Sequence, residues 1–267
     1  MQADFHMHTV LCKHATGTAA DYVKSARKKN IPEICFTDHA PAPDGYDSKH
    51  RMAIDDFPKY EAMIRELQEC EYPKVLYGIE ADYYKGCERF LRPWLARQNF
   101  DMVIGSIHFI KDWGFDNPDE RNVWDSIEVT NTWSEYFKLI RKMAKTKLYD
   151  VVAHLDLPKK FGHIPPAKDL NEMLCPALDS IAEAGMVIEL NASGLRRPVK
   201  EVYPSLSVLK LARERDILIC FGSDAHSPEE VGYAFDSTFK LARDAGYTHC
   251  VHFRERKKLL TPLIHDV

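Results

Sequence analysis

Ala3-Asp4-Phe5-His6-Met7-His8 is the stretch from which the rest of the chain can be placed. Read as a strand, it sets His6 and His8 on one face, their side chains starting roughly 7 Å apart, close enough to share one metal ion. His14 follows after a turn, where it would serve a neighbouring ion. A lone His-x-His is common and more often incidental. The metal reading therefore depends on what the remaining chain brings to it.

Six more apolar runs of strand length follow, at 34–37, 75–80, 102–108, 151–154, 187–191 and 218–223. Between them lie amphipathic stretches of helical length at 19–29, 55–71, 88–97, 133–147, 168–184 and 205–215, and a last one at 228–245. Thr18 is a suitable N-cap, Asn30-Ile31-Pro32 closes the first helix, and Gly185 and Gly246 stand where helices should end. Strand then helix, repeated, predicts a parallel sheet covered on both faces. The expected fold is α/β, a closed or nearly closed barrel, with residues 1–267 as a single domain. Residues 251–253 offer a short candidate for an eighth strand.

The 267-residue length and 45% hydrophobic content suit one domain with a full core. The longest apolar runs, 186–190 and 217–221, are too short to cross a bilayer, and no basic segment leads into an apolar one at the N-terminus. Seven cysteines with no Cys-x-x-Cys pair point to a reducing, cytoplasmic setting, with Cys35 and Cys220 as buried small hydrophobes. A net charge of −4 argues against nucleic acid as the main partner, and no membrane partner is expected. Nothing in the sequence sets an oligomeric state.

The strand ends carry the functional signal. The first ends at His6 and His8, the second at Asp38-His39, the third at Glu80, with Asp82 as a solvent-facing neighbour. The others end at His108, His154, Glu189 with Asn191, and Asp224 with His226. Singly, each is more often a satisfied core histidine, a lysine partner or a turn residue. In a barrel they converge at the C-terminal rim. Nitrogen and oxygen donors without cysteine suit Zn, Mn or Fe. The donors exceed what one ion takes, so two or three divalent ions sharing a bridging carboxylate are expected.

Two long connections, 40–54 and 109–132, would rise over the same rim. Arg51 in the first, Lys159 and Lys160 after the fifth strand, and Arg196 and Arg197 after the sixth could meet an anionic substrate. Asp112, Asp116 and Asp119 in the second could face a cationic end. As isolated charges, about half of these bases would simply be solvated.

Asp4-Phe5-His6-Met7-His8-Thr9 with His14, Thr37-Asp38-His39, Gly78-Ile79-Glu80, Ser106-Ile107-His108, Ala153-His154 and Gly222-Ser223-Asp224-Ala225-His226 together resemble the PHP (polymerase and histidinol phosphatase) superfamily. The resemblance spans the chain in the family's order. It implies a distorted (β/α)7 TIM-like barrel with a trinuclear metal centre. One ion would take His6, His8, Glu80 and Asp224; a second Glu80, His108 and His154; a third His14, His39 and His226. The catalytic set carried over is His6, His8, Glu80, His108, His154, Asp224 and His226. Within the superfamily, His39-Ala40-Pro41 leading to Arg51-Met52, and 189–197, look like stand-alone histidinol-phosphate phosphatases. That implies hydrolysis of a small phosphomonoester, L-histidinol phosphate, in histidine biosynthesis, by attack of a hydroxide bridging two ions. Other readings stay open: a related phosphoesterase acting on nucleotides, nucleic-acid ends or phosphotyrosine, a metal-binding barrel without turnover, and a barrel amidohydrolase. The last would need a lysine late in a middle strand, which the sequence lacks.

Overall fold

The structure, a computed structural model, describes residues 3–263. Residues 1–2 and 264–267, the two ends of the range read as one domain, lie outside the described residues. In chain order the strands are β1 (Ala3–Met7), β2 (Glu33–Phe36), β3 (Lys74–Asp82), β4 (Met102–Ser106), β5 (Phe109–Ile110), β6 (Trp113–Gly114), β7 (Val151–Val152), β8 (Val187–Asn191), β9 (Ile219–Gly222), β10 (His249–Arg254) and β11 (Lys257–Pro262). The helices are α1 (Ala19–Lys28), α2 (Phe57–Leu67), α3 (Glu88–Leu95), α4 (Val129–Thr146), α5 (Ala167–Ala184), α6 (Leu206–Arg213) and α7 (Phe235–Asp244).

Seven strands form one parallel sheet in the order β1-β2-β3-β4-β7-β8-β9. Just past β9 the chain turns back onto β1: the His8 N–H donates to Ala225 O at 2.9 Å, and the Ala225 N–H to His6 O at 3.2 Å. Those bonds make a nearly closed (β/α)7 barrel, as the alternating pattern predicts. Thr18 caps α1 in a capping box with Asp21, and Gly185 ends α5 at a φ of 66°.

Side-chain alternation sorts the strands into two cores. Inside the barrel pack Phe5, Leu76, Met102, Val187 and the predicted buried Cys35 and Cys220. Met7, Phe36, Tyr77 and Ile188 face outward under the helices. β1 breaks strict alternation, because its register against β2 shifts between Asp4 and Met7. Phe5 belongs to the inner core and Met7 to the outer one, while His6 also points inward, to Glu80 and Glu189. This bulge lets one strand both seal the barrel interior and aim two histidines at its upper end.

Three sequence readings need correction. Residues 251–253 are not an eighth stave: β10 pairs antiparallel with β11, and this hairpin drives Val251 and Phe253 into the barrel interior. The helix read over 228–245 is broken into a 3-10 turn, Pro228–Glu230, and α7. Gly232 lies between them at a φ of 62°, and its N–H donates to Asp4 Oδ2 at 2.8 Å, a backbone bond that a continuous helix would not leave free. Asp82 is not solvent-facing but 3% exposed. The 109–132 connection is also more ordered than a plain loop, with the β5–β6 hairpin, a 3-10 segment at Pro118–Ser126 and the start of α4.

Candidate metal centre

At the C-terminal ends of the strands lies a cavity of about 450 Å³, walled by His14, His39, Glu80, His108, His154, Asp224 and His226 on its floor and by the two long connections above. His6 and His8 sit just beneath, 0% and 1% exposed. His6 Nε2 is 3.4 Å from Glu80 Oε2 and 3.8 Å from Asp224 Oδ1; His8 Nε2 is 3.6 Å and 3.3 Å from the same two atoms. Donors about 2.1 Å from a common ion lie roughly 3.0–3.6 Å apart in octahedral or tetrahedral shells. Three of the four separations fall in that range, and the fourth, 3.8 Å, lies just beyond it. The other oxygen of Glu80, Oε1, faces His154 Nε2 at 3.5 Å and His108 Nε2 at 3.9 Å, so Glu80 is placed to bridge two ions.

A test of fit comes from unpaired atoms. Among the described residues, His6 Nε2, both ring nitrogens of His8, His39 Nδ1 and both oxygens of Glu80 are buried without a well-formed hydrogen bond. Burying such groups unpaired costs about 1–3 kcal/mol each, more when charged, so their convergence on one spot calls for a cation. A second sign is at the rim. His14 Nδ1 donates to Cys12 O at 2.8 Å and His226 Nδ1 to Asp224 O at 3.1 Å, since a carbonyl can only accept. Each ring therefore turns an Nε2 lone pair toward the other, 2.9 Å apart. Burial and repulsion from His39 and His8 lower the His14 value to about 4, and burial and His8 push His226 well down, so a shared proton is disfavoured. A metal ion held between the two would resolve the contact.

His39 is placed between these groups. Its Nδ1 lies 3.0 Å from Glu80 Oε2, and its donor atoms cluster with those of His8 and His226 and with those of Glu80 and His108. His14 clusters instead with Cys12 and His226. The donors thus form a chain of overlapping sets rather than three separate ones.

Most rings are held from behind. His6 Nδ1 meets Glu189 Oε1 at 2.7 Å, and Glu189 Oε2 accepts from the His154 N–H and from Asn191. His108 Nδ1 lies 3.0 Å from Asp82 Oδ1, while Asp38 Oδ1 lies a longer 3.6 Å from His8 Nδ1. Burial works against charge throughout, but the surrounding carboxylates outweigh it, raising His6 and His8 well above the ordinary imidazole value and His108 to about 9. Burial pushes the carboxylates up, but His39, His6 and His154 hold Glu80, and His6, His8 and His226 hold Asp224, well below the usual carboxylate range. Ligation by a cation would displace the imidazole protons. His154 and Asp224 adopt left-handed backbone, φ 24° and 53°, the strained kind that gathers at functional sites. Gly222 has no room for a side chain: a Cβ there would fall on Glu189 Oε1 and 2.7 Å from His6 Cβ.

The five bases named from sequence part company. Arg197 lines the cavity and makes no ion pair among the described residues. Arg196 pairs with Glu230 and donates to Ser223 O and Asp224 O, bracing the Asp224 loop. Lys159 is 2% exposed, bound to Asp156, Glu201 and Val202 O. Arg51, also 2% exposed, is bound to Asp82 and Asp47. Lys160 lines the cavity beside Asp116, 2.9 Å away, and Asp119 lines it too, whereas Asp112 is exposed outside it. The sequence reading treated Glu189 and Asp38 only as strand-end residues. Their acidic side chains there were the signal, but their role depends on histidines far away in the chain.

A model described as PHP domain matches residues 4–193, and one described as PHP-associated matches 207–237. The chain belongs to the PHP family. It is 40% identical to the "probable histidinol-phosphatase" of Deinococcus radiodurans over 95% of this chain and 97% of that one. It is 28% identical to the histidinol-phosphatase of Bacillus subtilis, over 88% of this chain and 97% of that one. Its fold matches the crystal structure of histidinol phosphate phosphatase from Lactococcus lactis, complexed with Zn, L-histidinol and phosphate, at a TM-score of 0.80 and 20% identity, over 96% of this chain and 98% of that one.

Proposed function

We propose that this chain is a phosphomonoesterase that hydrolyses L-histidinol phosphate to L-histidinol and phosphate at a centre of two or three divalent ions, Zn, Mn or Fe. The observation that carries the chemistry is the meeting of His6, His8, Glu80 and Asp224 at metal-shell spacing, with Glu80 turned to share a second ion with His108 and His154. Its full-length relatives of that name support the choice of ester. His14, His39 and His226 would hold a third ion at the mouth.

Divalent ions in this donor set supply Lewis acidity toward phosphoryl oxygens and acidify water. The chain's own groups do the rest. Arg197, without an ion pair among the described residues and lining the cavity, is placed to take a phosphate oxygen, and its planar guanidinium suits that role better than a lysine would. On the upper wall Asp47, Asp116 and Glu230 are paired with Arg51, Lys160 and Arg196, and Asp119, without an ion pair among the described residues, is the acid placed to favour an ester whose alcohol end carries an amine and an imidazole. Lys160 is held by Asp116 rather than free for phosphate. Glu189 and Asp82 keep the metal-facing nitrogens of His6 and His108 turned inward.

The test is phosphate release from histidinol phosphate by metal-loaded protein, beside a panel of nucleotides and phosphotyrosine, with and without chelator. Fast release from histidinol phosphate that chelation abolishes and added metal restores is the expected result. Equal or faster release from the other esters, or activity that survives complete metal removal, overturns it.

A further inference from the structure

Arg51 drew notice in the sequence as a base for phosphate, and its surroundings give it other work. Its side chain is 2% exposed and, among the described residues, does not line the cavity. Its Nη2 lies 2.8 Å from Asp82 Oδ2 and 3.1 Å from Asp47 Oδ2, and the guanidinium stacks over the Tyr46 ring at 4.9 Å. Asp82, at the end of β3, is a hub. It accepts from Tyr46 Oη at 2.8 Å and Ser106 Oγ at 2.8 Å, and holds His108 Nδ1 at 3.0 and 3.1 Å through its two oxygens. The Tyr46 ring stacks on Tyr84 with centroids 3.9 Å apart, and Tyr84 Oη donates to Asp44 at 2.9 Å. The 40–54 connection is thus pinned to the carboxylate that orients His108, and the same connection places Asp47 and His50 in the cavity wall.

We infer that Arg51 and Asp82 are positioning residues for the ion shared by Glu80, His108 and His154, with Arg51 fixing the carboxylate that turns His108 Nε2 toward that ion. This rests on the metal reading of the cavity and not on which ester is cleaved. A buried carboxylate held by Arg51, Tyr46 and Ser106 has little freedom, so the imidazole it grips keeps both its tautomer and its tilt. Without the guanidinium, Asp82 keeps its neutral donors but loses its only cationic partner other than the imidazole among the described residues.

The experiment compares native protein with Arg51→Met, Arg51→Lys, Tyr46→Phe and His108→Ala, each loaded with Zn, dialysed against graded chelator and assayed for metal per chain. Arg51→Met is expected to release one ion at a chelator level about 10–100-fold below that needed by the native chain, while the remaining ions stay bound. Arg51→Lys should recover part of the difference, and Tyr46→Phe should shift retention the same way by less. Adding Arg51→Met to His108→Ala should remove nothing further. Retention by Arg51→Met that overlays the native curve, even with a raised KM, returns Arg51 to phosphate binding and overturns the inference. Simultaneous loss of all ions overturns it too, because that is general loosening. Should Arg51→Met fail to fold, Tyr46→Phe decides by the same two criteria. A native chain that holds its metal yet leaves histidinol phosphate intact would sink the substrate assignment alone.

Discussion

At the upper end of the barrel His6 Nε2, His8 Nε2 and both oxygens of Glu80 are buried without hydrogen-bond partners among the described residues. At the lower end, where the strands begin, buried and half-buried charge is matched. Glu33 accepts from His252 Nδ1 and Arg254, and Asp150 takes both arms of Arg256 at 2.8 and 3.1 Å. Asp101 accepts the Glu255 N–H at 3.1 Å and the Tyr77 N–H at 3.0 Å. Of the His252–Arg256 groups that meet these acids, His252 Nε2 is left unpartnered. The two ends use similar residues for opposite purposes. The lower end spends its charges on fastening the β10–β11 hairpin, and the upper end keeps its donors open for a ligand, at a cost in stability.

The comparison can be broken in four places. The largest effect belongs to the upper donors: His8→Ala, His154→Ala and Asp224→Ala should each cut phosphate release more than about a hundredfold. The metal-free His8→Ala and His154→Ala forms should melt no lower than metal-free native protein, because each removes a ring nitrogen left unsatisfied among the described residues. A melting curve that collapses would show these residues to be ordinary core. Next, Zn in excess should raise native stability by about 2.7 kcal/mol at a hundred times its dissociation constant, in a titrated thermal melt. The alanine variants should lose most of that gain, and changes in the hairpin should leave it intact.

Gly222→Ala sharpens the contrast from within the sheet, since its methyl would strike Glu189 and His6. It should cost about 1–3 kcal/mol in denaturant unfolding and take activity with it. Smallest is Glu33→Gln at the lower end, about 1–2 kcal/mol because Arg254 is partly solvated, with activity per folded chain unchanged. Burial raises the Glu33 value, but His252 and Arg254 outweigh it and hold the carboxyl below its ordinary range. Its contribution is therefore complete above the unfolded value of about 4.3 and fades as pH falls through the folded value. Urea midpoints for native and Glu33→Gln should converge in acid. A gap that stays constant or widens there would show that the ion pair is not the cause.

Much of the upper end was legible because its signal is local: a histidine or acid just past an apolar run. His6, His8, Glu80, His108, His154 and Asp224 could be placed that way, and the barrel brings them together. What escaped is set by partners distant in sequence. Asp82 looked like a solvated neighbour of Glu80 until Arg51 and His108 closed around it. Arg51 and Lys159 looked like mouth residues because charge suggests exposure, and both are buried in ion pairs. The lower end was nearly silent. Val251-His252-Phe253 has no feature that tells a barrel stave from a plug, and its role follows from Glu33, Asp101 and Asp150, each far upstream. Gly232 was the missed local cue, a break in the helix read over 228–245.

The bulge in β1 gives the first strand a phase as well as a sequence. Upstream of it the inward positions fall on Ala3 and Phe5, and downstream on His6 and His8. Without it, unbroken alternation from Ala3 and Phe5 would act like a frameshift written in geometry, turning Met7 into the chamber and both imidazoles out beneath the helices with every amino acid in place.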